Sequence, residues 1–440
     1  MAAYDALKAL IAAFNQPDSA TLEAFVTGQS ALASAAPRWM SFRRGAAPIA
    51  LVRVEASDAD KVTATIEDRW GRLFEVKLTV DAQSPHQIAA ASVIPRPEAA
   101  AQVRMTWSEV KRALTAKIED GVERDWLSGA LMISREGRTL YRAAYGHADR
   151  EAQRPNTLGT RFRIGSMNKM FTGVAILRLA QANRIRLDDN VGRHLPDYPN
   201  RSFAEKVTVR HLLNHTAGAG NFFGPEFRAH RLELRDPGDY VALLGRRDAE
   251  FEPGSQYKYA NYGFIVLGRI VEIASGQSYD DYVAANIFRV AGMRATGAQP
   301  EDAEVPGRAV GYMDSPKGLV RNDQTLPFRG TPAGGGYSTV GDLVRFAQAL
   351  TGGKLLNETH MQFIGAGGVE ARPGVWYGAG FIEFRQSGVR SFGHTGGAPG
   401  MNGTLLIFPD AGYVVAALAN GDPPQADSLG SFVSLRLPVA

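Results

Sequence analysis

The stretch between Ser166 and residue 182 is apolar on almost every side of a helical projection. Its apolar residues include Met167, Met170, Phe171, Val174, Ala175, Ile176 and Leu177. A helix without a polar face cannot lie on a protein surface, because one of its sides would expose apolar area to water. We therefore predict a helix that is buried in the middle of a domain.

Strand patterns lie on both sides of this helix in the sequence. Residues 128–146 alternate as a β-hairpin that turns at Glu136 and Gly137, and helical and loop patterns dominate until about residue 295. Further strand patterns follow near the C-terminus, at 378–384, 391–394, 403–408 and 413–419. The fold class is therefore mixed α+β, with a sheet built from both ends of the domain and a helical region inserted between them.

The first 95 residues have a different pattern, which predicts a small α+β domain of unknown role. Residues 1–16 form an amphipathic helical pattern. The predicted strands are 49–54, 61–67, 73–80 and 88–94. This arrangement loosely resembles the cystatin-like folds, in which a curved sheet wraps a helix. Because Pro95 and Pro97 interrupt both helix and sheet, we assign residues 96–105 to a linker and residues 106–440 to a second domain.

Composition excludes several classes of function. The chain has 440 residues, 45% of them hydrophobic, and a formal net charge of only +4, with acidic and basic residues interleaved. We expect no nucleic-acid partner, because tracking a phosphate backbone needs a basic stripe or patch. The absence of cysteine excludes disulfides, thiolate nucleophiles and sulfur-ligated metals.

No apolar run approaches the roughly 18 residues that a membrane helix needs, so we expect no membrane span. The N-terminal residues lack the basic start and the continuous apolar stretch of a signal peptide. The compartment stays open. We expect a cytoplasmic protein if Met1 is the native start, and a periplasmic or secreted one if a signal peptide has been removed.

Ser166 and Lys169 place a hydroxyl and an amine one helical turn apart on the same face. A serine hydroxyl becomes a strong nucleophile only when a base takes its proton, and a lysine can do so if burial leaves it neutral. The apolar helix supplies that burial, and its N-terminal end favours developing negative charge. The same spacing recurs at Ser108 with Lys111 and at Ser255 with Lys258, so the pair needs companions before it identifies a site.

Two companion motifs follow in the chain, Tyr259-Ala260-Asn261 and His394-Thr395-Gly396-Gly397. Together with Ser166-Met167-Asn168-Lys169 they resemble, in chain order, the Ser-x-x-Lys, Tyr-x-Asn and Lys-Thr-Gly motifs of the serine β-lactamase and penicillin-binding protein superfamily. The stretches that agree further with this family are 162–165, 212–218 and 335–339. The resemblance covers about residues 115–420 and does not extend to the N-terminal domain.

The resemblance implies a β-lactamase-like transpeptidase fold, with an antiparallel sheet flanked by helices, and a serine hydrolase that works through an acyl-enzyme. Ser166 would be acylated, Lys169 would help to deprotonate it, and Tyr259 would shuttle the proton, its phenol kept acidic by nearby cationic character. Asn261 would orient the substrate amide and Lys169, and the backbone N–H groups of Ser166 and Gly397 would form the oxyanion hole. The implied substrate-binding residues are Asn261, His394, Thr395, Gly396 and Gly397.

His394 departs from the family pattern, which has a lysine at this position. That lysine is a fixed cation for the carboxylate of β-lactams or of peptides ending in D-alanine, whereas histidine is mostly neutral at pH 7. The replacement resembles the β-lactamase-like carboxylesterases of family VIII, related to class C β-lactamases, and the D-aminopeptidases. We therefore predict a carboxylesterase that acts on short-chain esters. The alternatives are a D-aminopeptidase, a D-alanyl-D-alanine carboxypeptidase or a weak β-lactamase and, from another class, a penicillin-binding-like sensor or scaffold without turnover.

The remaining signals indicate neither a metal nor a cofactor. His211 and His215 have the helical spacing of zinc ligands, but they lack the neighbouring glutamate and a third ligand, so we predict a structural role. The glycine runs at 334–336 and 396–400 fit no nucleotide-binding motif, and Ile164 replaces the first glycine of a Gly-x-Ser-x-Gly elbow. The expected partner is a small-molecule ester or D-amino-acid amide. The N-terminal domain could shape the substrate entrance, bind a cell-wall component or form a homo-oligomer.

Overall fold

The computed structural model describes residues 2–16, 18–83, 86–96, 103–315, 318–386 and 388–438. The chain divides into two units. The first comprises the residues up to Trp126 together with Asp314–Val320 and Ser431–Pro438, and the second comprises Leu127–Met313 and Arg321–Gly430.

The units differ from the predicted domains at one helix and at two later segments, Asp314–Val320 and Ser431–Pro438. Trp107–Glu123, which the sequence assigned to the second domain, belongs to the first unit. It begins with a capping box, in which the Thr106 side chain accepts from the Glu109 N–H and the Glu109 side chain accepts from the Thr106 N–H. Residues 97–102 of the predicted linker lie outside the described residues, and the domain boundaries stay a prediction.

The first unit contains a four-stranded antiparallel sheet whose strands are paired in chain order. Its N-terminal helices are Ala2–Phe14, Ala20–Thr27 and Ala36–Ala46, and its strands are Ile49–Ser57, Lys61–Asp68, Leu73–Val80 and Ile88–Pro95. Leu7, Leu10 and Phe14 of the first helix share one buried core with Ile66 and Val76 of the sheet. The predicted small α+β region is confirmed, and its likeness to cystatin folds stays a prediction.

The second unit is built on an eight-stranded antiparallel sheet. In spatial order its strands are Val369–Arg372, Val375–Gly378, Phe381–Gln386, Val389–Ala398, Met401–Phe408, Tyr413–Ala419, Gly129–Arg135 and Arg138–Tyr145. Gly129–Arg135 pairs with Tyr413–Ala419, so the sheet joins both ends of the unit, as predicted. The hairpin turns at Glu136 and Gly137, whose φ angles of 47° and 81° are typical of a two-residue hairpin turn.

The helical region that the sequence placed between the strands is also present. The remaining helices are Asn168–Gln181, Val191–His194, Arg201–Lys206, Val209–Leu213, Pro225–His230, Pro237–Leu244, Asn261–Ser275, Tyr279–Val283, Arg289–Ala291, Val340–Thr351, Glu358–Met361 and Gln425–Ser434. The remaining short strands are His147–Asp149, Arg154–Pro155, Phe162–Arg163, Tyr312–Ser315, Gly318–Arg321 and Tyr337–Ser338. Within the described ranges, no helix combines the length and the apolar composition needed to cross a bilayer.

The helix Asn168–Gln181 is the buried helix that the apolar stretch predicted, and every side chain from residue 168 to residue 177 is buried. Ser166 itself lies just before it, in the 3-10 turn Gly165–Met167. Two glycines allow close backbone contact on one side of the helix. A Cβ at Gly173 would overlap the carbonyl oxygen of Ala379, and a Cβ at Gly380 would overlap the carbonyl oxygen of Lys169.

We expect Gly173→Ala to lower the free energy of unfolding, although alanine favours an exposed helix by about 1 kcal/mol over glycine. The added methyl group would force the helix away from Ala379, at a cost of about 1–3 kcal/mol for overpacking. Gly341→Ala is the matched control, because a Cβ there would lie 3.6 Å from Arg345 Nη1 and 3.8 Å from Thr339 Oγ1, which are ordinary contact distances. Urea unfolding should show a loss for Gly173→Ala and no loss for Gly341→Ala. Equal effects would contradict the close contact.

Candidate active site

Ser166 lies where three glycine-containing segments meet. The preceding residue, Gly165, has a φ of 53°, and a Cβ there would lie 2.9 Å from the backbone nitrogen of Gly397. A Cβ at Gly334 would lie 3.5 Å from the backbone nitrogen of Ser166. The strand Val389–Ala398 thus runs beside the turn that carries Ser166. The backbone N–H groups of Ser166 and Gly397 share one small region, as an oxyanion hole requires.

Lys169 is completely buried beside Ser166, with 0% of its surface exposed. Its Nζ lies 3.3 Å from Ser166 Oγ and 2.7 Å from Asn261 Oδ1, and it also donates to the carbonyl oxygen of Ala333. Burial lowers the pKa of Lys169 well below its ordinary value. In the neutral amine, the two N–H bonds serve Asn261 and Ala333, and the lone pair is left for the Ser166 proton.

Tyr259 also reaches Ser166, through a hydrogen bond between the two hydroxyl groups. Its ring lies close to the buried amine, with Lys169 Nζ 4.8 Å from the ring centroid. Burial raises the pKa of Tyr259 above its ordinary value, and the hydrogen bond to Ser166 offsets only part of this shift. The expectation of an acidic phenol is therefore wrong, because burial dominates and the same burial disfavours the charged form of Lys169.

Asn261 is the first residue of the helix Asn261–Ser275, which packs against the helix Asn168–Gln181. Its Oδ1 accepts from Lys169, and its Nδ2 donates to Asn221 Oδ1 over 2.5 Å. These two contacts set the orientation of the amide. The packing of the two helices brings Ser166, Lys169, Tyr259 and Asn261 together, as the motifs predicted.

His394, which the family resemblance implies as a substrate-binding residue, is buried against other residues of the chain. It is 3% exposed, its Nδ1 bonds to the carbonyl oxygen of Thr395, and its Nε2 lies 3.3 Å from the hydroxyl of Tyr377. Nδ1 must carry the proton to donate to a carbonyl, so Nε2 accepts from Tyr377. Burial lowers the pKa of His394 to about 3, and nearby Lys169 adds to the shift. The side chain is neutral and engaged with its own protein.

His215 occupies the centre of an aromatic cluster, which the sequence did not predict. Its ring centroid lies 4.3 Å from those of Tyr259 and Tyr377. Its Nδ1 accepts from the backbone N–H of Ala260 over 3.1 Å, and burial lowers the pKa of His215 well below its ordinary value. Neutral His215 therefore supports the Tyr259–Asn261 segment. In the part of the chain that the structure describes, no cluster of three histidine, cysteine or acidic side chains could hold a metal.

A cleft of about 770 Å³ opens at Ser166. Its apolar side chains include Phe222, Phe223, Phe227, Leu326, Pro327 and Met401, and its charged side chains are Arg228 and Arg231. Tyr259, Asn261 and Gly397 also line it. The lining does not include His394, Thr395 or Gly396, so these three predicted binding residues lie outside it. The aromatic wall and the two arginines had no motif in the sequence and were missed.

The other two Ser-x-x-Lys pairs have no comparable surroundings. Ser108 and Lys111 are both exposed on the helix Trp107–Glu123. Ser255 is exposed in a turn, and Lys258 pairs with Glu250 over 2.9 Å. Burial and partners therefore distinguish Ser166 and Lys169 from pairs of identical spacing.

Comparison with known proteins agrees with this geometry. The family described as Beta-lactamase matches residues 114–435. The chain belongs to the Beta-lactamase family. The match confirms the predicted relation to serine β-lactamases and penicillin-binding proteins, and it leaves most of the first unit outside the family.

Three similar proteins illustrate the range of this family. Penicillin-binding protein 4* of Bacillus subtilis (strain 168) is 28% identical over 320 residues, which are 68% of this chain and 69% of that protein. Esterase EstB of Burkholderia gladioli is 35% identical over 200 residues, which are 42% of this chain and 51% of that protein. The crystal structure of a penicillin-binding protein from Bacillus halodurans matches with a TM-score of 0.66 and 29% identity, over 76% of this chain and 100% of that chain. The predicted β-lactamase-like fold is confirmed, as is the assignment to a hydrolase-type enzyme family.

Proposed function

We propose that the chain is a serine hydrolase that forms an acyl-enzyme on Ser166 and acts as a carboxylesterase on short-chain esters. The observation that carries this proposal is the position of Lys169, whose completely buried Nζ lies 3.3 Å from Ser166 Oγ. A charged amine would lose its hydration at this site without gaining a carboxylate partner. The neutral amine is therefore favoured, and it can take the hydroxyl proton.

Acylation joins Ser166 Oγ to the carbonyl carbon of the substrate. The hydroxyl proton passes to Lys169 Nζ, and the N–H groups of Ser166 and Gly397 stabilise the charge that develops on the carbonyl oxygen. Tyr259, which keeps its proton at neutral pH, donates to the departing alkoxide as the C–O bond breaks. Lys169 then returns a proton to Tyr259. The alcohol leaves, and the acyl group stays on Ser166.

Deacylation uses the same groups with water in place of the alcohol. Tyr259 accepts a proton from the attacking water while its own proton moves to Lys169. As the bond between Ser166 Oγ and the acyl carbon breaks, Lys169 returns this proton to Ser166. The products are the free carboxylic acid and the original protonation state of all three side chains.

The third-motif position favours esters over β-lactams. The family's lysine is replaced there by His394, which supplies no cation because it is buried, neutral and hydrogen-bonded to Tyr377. The wall formed by Phe222, Phe223 and Phe227 suits an apolar substrate group. A cleft of about 770 Å³ accommodates a short acyl chain together with its alcohol.

We expect nitrophenyl butyrate to give a higher kcat/KM than D-alanine nitroanilide or a chromogenic cephalosporin. A faster anilide would favour a D-aminopeptidase, and a faster cephalosporin would favour a β-lactamase. Release of D-alanine from a D-alanyl-D-alanine peptide at a higher rate than ester turnover would favour the carboxypeptidase alternative. An adduct on the protein without turnover of any substrate would favour a sensor. The absence of ester turnover would remove the esterase proposal.

A further inference from the structure

Two arginines line the cleft, and no acidic side chain lines it among the residues that the structure describes. Arg231 is half-buried just after the helix Pro225–His230, and its guanidinium donates to the carbonyl oxygen of Leu326 over 2.7 Å. This contact uses one of five N–H donors and holds the side chain against the cleft wall. Arg228 is exposed at the same wall. The cleft therefore has a net positive charge.

The acidic residues of this segment contact side chains other than Arg228 and Arg231. Glu226 forms an ion pair with Arg247 over 2.5 Å, and Glu233 Oε2 lies 2.9 Å from His230 Nδ1. Across the described ranges, Arg228 and Arg231 form no ion pair with a carboxylate. An arginine fixed at a cleft without an internal acid is suited to bind an anionic group of a ligand.

Apolar rings adjoin these two cations. Phe223 is 61% exposed, although it is aromatic, and its ring centroid lies 4.3 Å from that of Phe222 and 5.4 Å from that of Phe227. Phe222 and Phe227 are both buried, so they support Phe223 as an exposed aromatic platform in the cleft. The wall thus combines an apolar surface with fixed positive charge.

We propose that the substrate is an ester with an apolar segment and a terminal carboxylate, and that Arg231, assisted by Arg228, binds this carboxylate while Phe223 contacts the apolar segment. This inference rests on the proposed esterase function and names its substrate class. The guanidinium of Arg231 offers paired N–H groups that match the two oxygens of a carboxylate. The cation lies on the segment that follows the helix Pro225–His230, and His394 has no part in the recognition.

The kinetic test compares two esters of similar length, neutral nitrophenyl butyrate and the anionic nitrophenyl monoester of glutaric acid. We expect Arg231→Gln to lower the ratio of the anionic to the neutral kcat/KM by about tenfold, the size of one charge-assisted hydrogen bond. Arg231→Lys should lower this ratio less than Arg231→Gln does. Combining Arg231→Gln with Arg228→Gln should lower it further. Arg246→Gln is the matched control, because this exposed arginine lies outside the cleft lining, and the ratio should not change.

A binding test makes the inference independent of turnover. We expect 4-phenylbutyrate to bind the wild type more tightly than 4-phenylbutanol, and Arg231→Gln to remove this preference. High salt should weaken binding of the acid more than binding of the alcohol. Equal binding of the two ligands to the wild type would overturn the carboxylate site. The site would also be overturned if Arg231→Gln left the ratio of the anionic to the neutral kcat/KM unchanged. Failure of the wild type to hydrolyse either ester, with the binding preference intact, would overturn the esterase proposal and leave the carboxylate site standing.

Discussion

Lys169→Met is expected to lower kcat/KM for a short-chain nitrophenyl ester by about 10²–10⁴-fold, the usual contribution of a general base. Methionine has a similar length and fills the buried site, but it cannot take the proton of Ser166. The Asn261 amide and the Ala333 carbonyl lose their donor in this variant. Lys258→Met is the matched control, because it changes the exposed lysine of an identical Ser-x-x-Lys spacing and should retain activity.

The same variant has an expected effect on the pH dependence of stability. The pKa of Lys169 in the folded protein lies well below its ordinary value. At a pH between the folded and the unfolded pKa, Lys169 is protonated in the unfolded chain and neutral in the folded chain. Lowering the pH within this window therefore lowers the free energy of unfolding. Lys169→Met should therefore gain stability relative to the wild type at lower pH within this window. Urea unfolding at several pH values measures the difference, and a gain that grows with rising pH would contradict a neutral buried lysine.

Ser166→Ala is expected to lower kcat for the same ester by about 10⁴-fold or more, because removal of a nucleophile abolishes the covalent route. The change removes one oxygen atom next to Gly165 and Lys169, and the surrounding helix should keep its fold. Ser255→Ala is the matched control, since Ser255 has the same spacing to a lysine but is exposed in a turn. Circular dichroism should show both variants folded. Ester turnover by Ser166→Ala at more than about a tenth of the wild-type rate would exclude Ser166 as the nucleophile.

The sequence predicted those parts of the site that depend on local spacing. The apolar stretch after Ser166 predicted a buried helix. Because Lys169 lies within that helix, its burial could be predicted as well. The Tyr259–Asn261 segment lies at the start of the next large helix, and the packing of the two helices follows from their apolar composition. The alternation of apolar and polar residues likewise predicted the strands of the sheet, because successive side chains on a strand point to opposite faces.

The sequence did not reveal contacts between residues that are distant in the chain. The carbonyl oxygen of Ala333 bonds to Lys169, but a backbone carbonyl has no signature in a sequence. Tyr377 lies two strands from His394 in the sheet, and its hydroxyl holds that imidazole away from the cleft. The pKa of Tyr259 is raised by burial in the folded chain, which its motif does not encode.

The cleft shows the same difference between local pattern and tertiary packing. Phe223 and Arg231 belong to no recognised motif, and each would fit an ordinary loop. Only the fold brings them to the wall that also contains Ser166. The segment Ser431–Pro438 is a further example of tertiary packing, since it belongs to the first unit although it lies more than 300 residues after Trp126 in the chain.

Mass spectrometry after a fluorophosphonate pulse tests the central claim, that Ser166 is the activated nucleophile. Trypsin cleaves after Arg163 and Lys169, so residues 164–169 form one peptide whose only hydroxyl side chain is Ser166. We predict one adduct per chain, located on this peptide, together with loss of ester turnover and no adduct on this peptide in Ser166→Ala. An adduct on another peptide that abolishes turnover, or full labelling of Ser166 with turnover intact, would contradict the account.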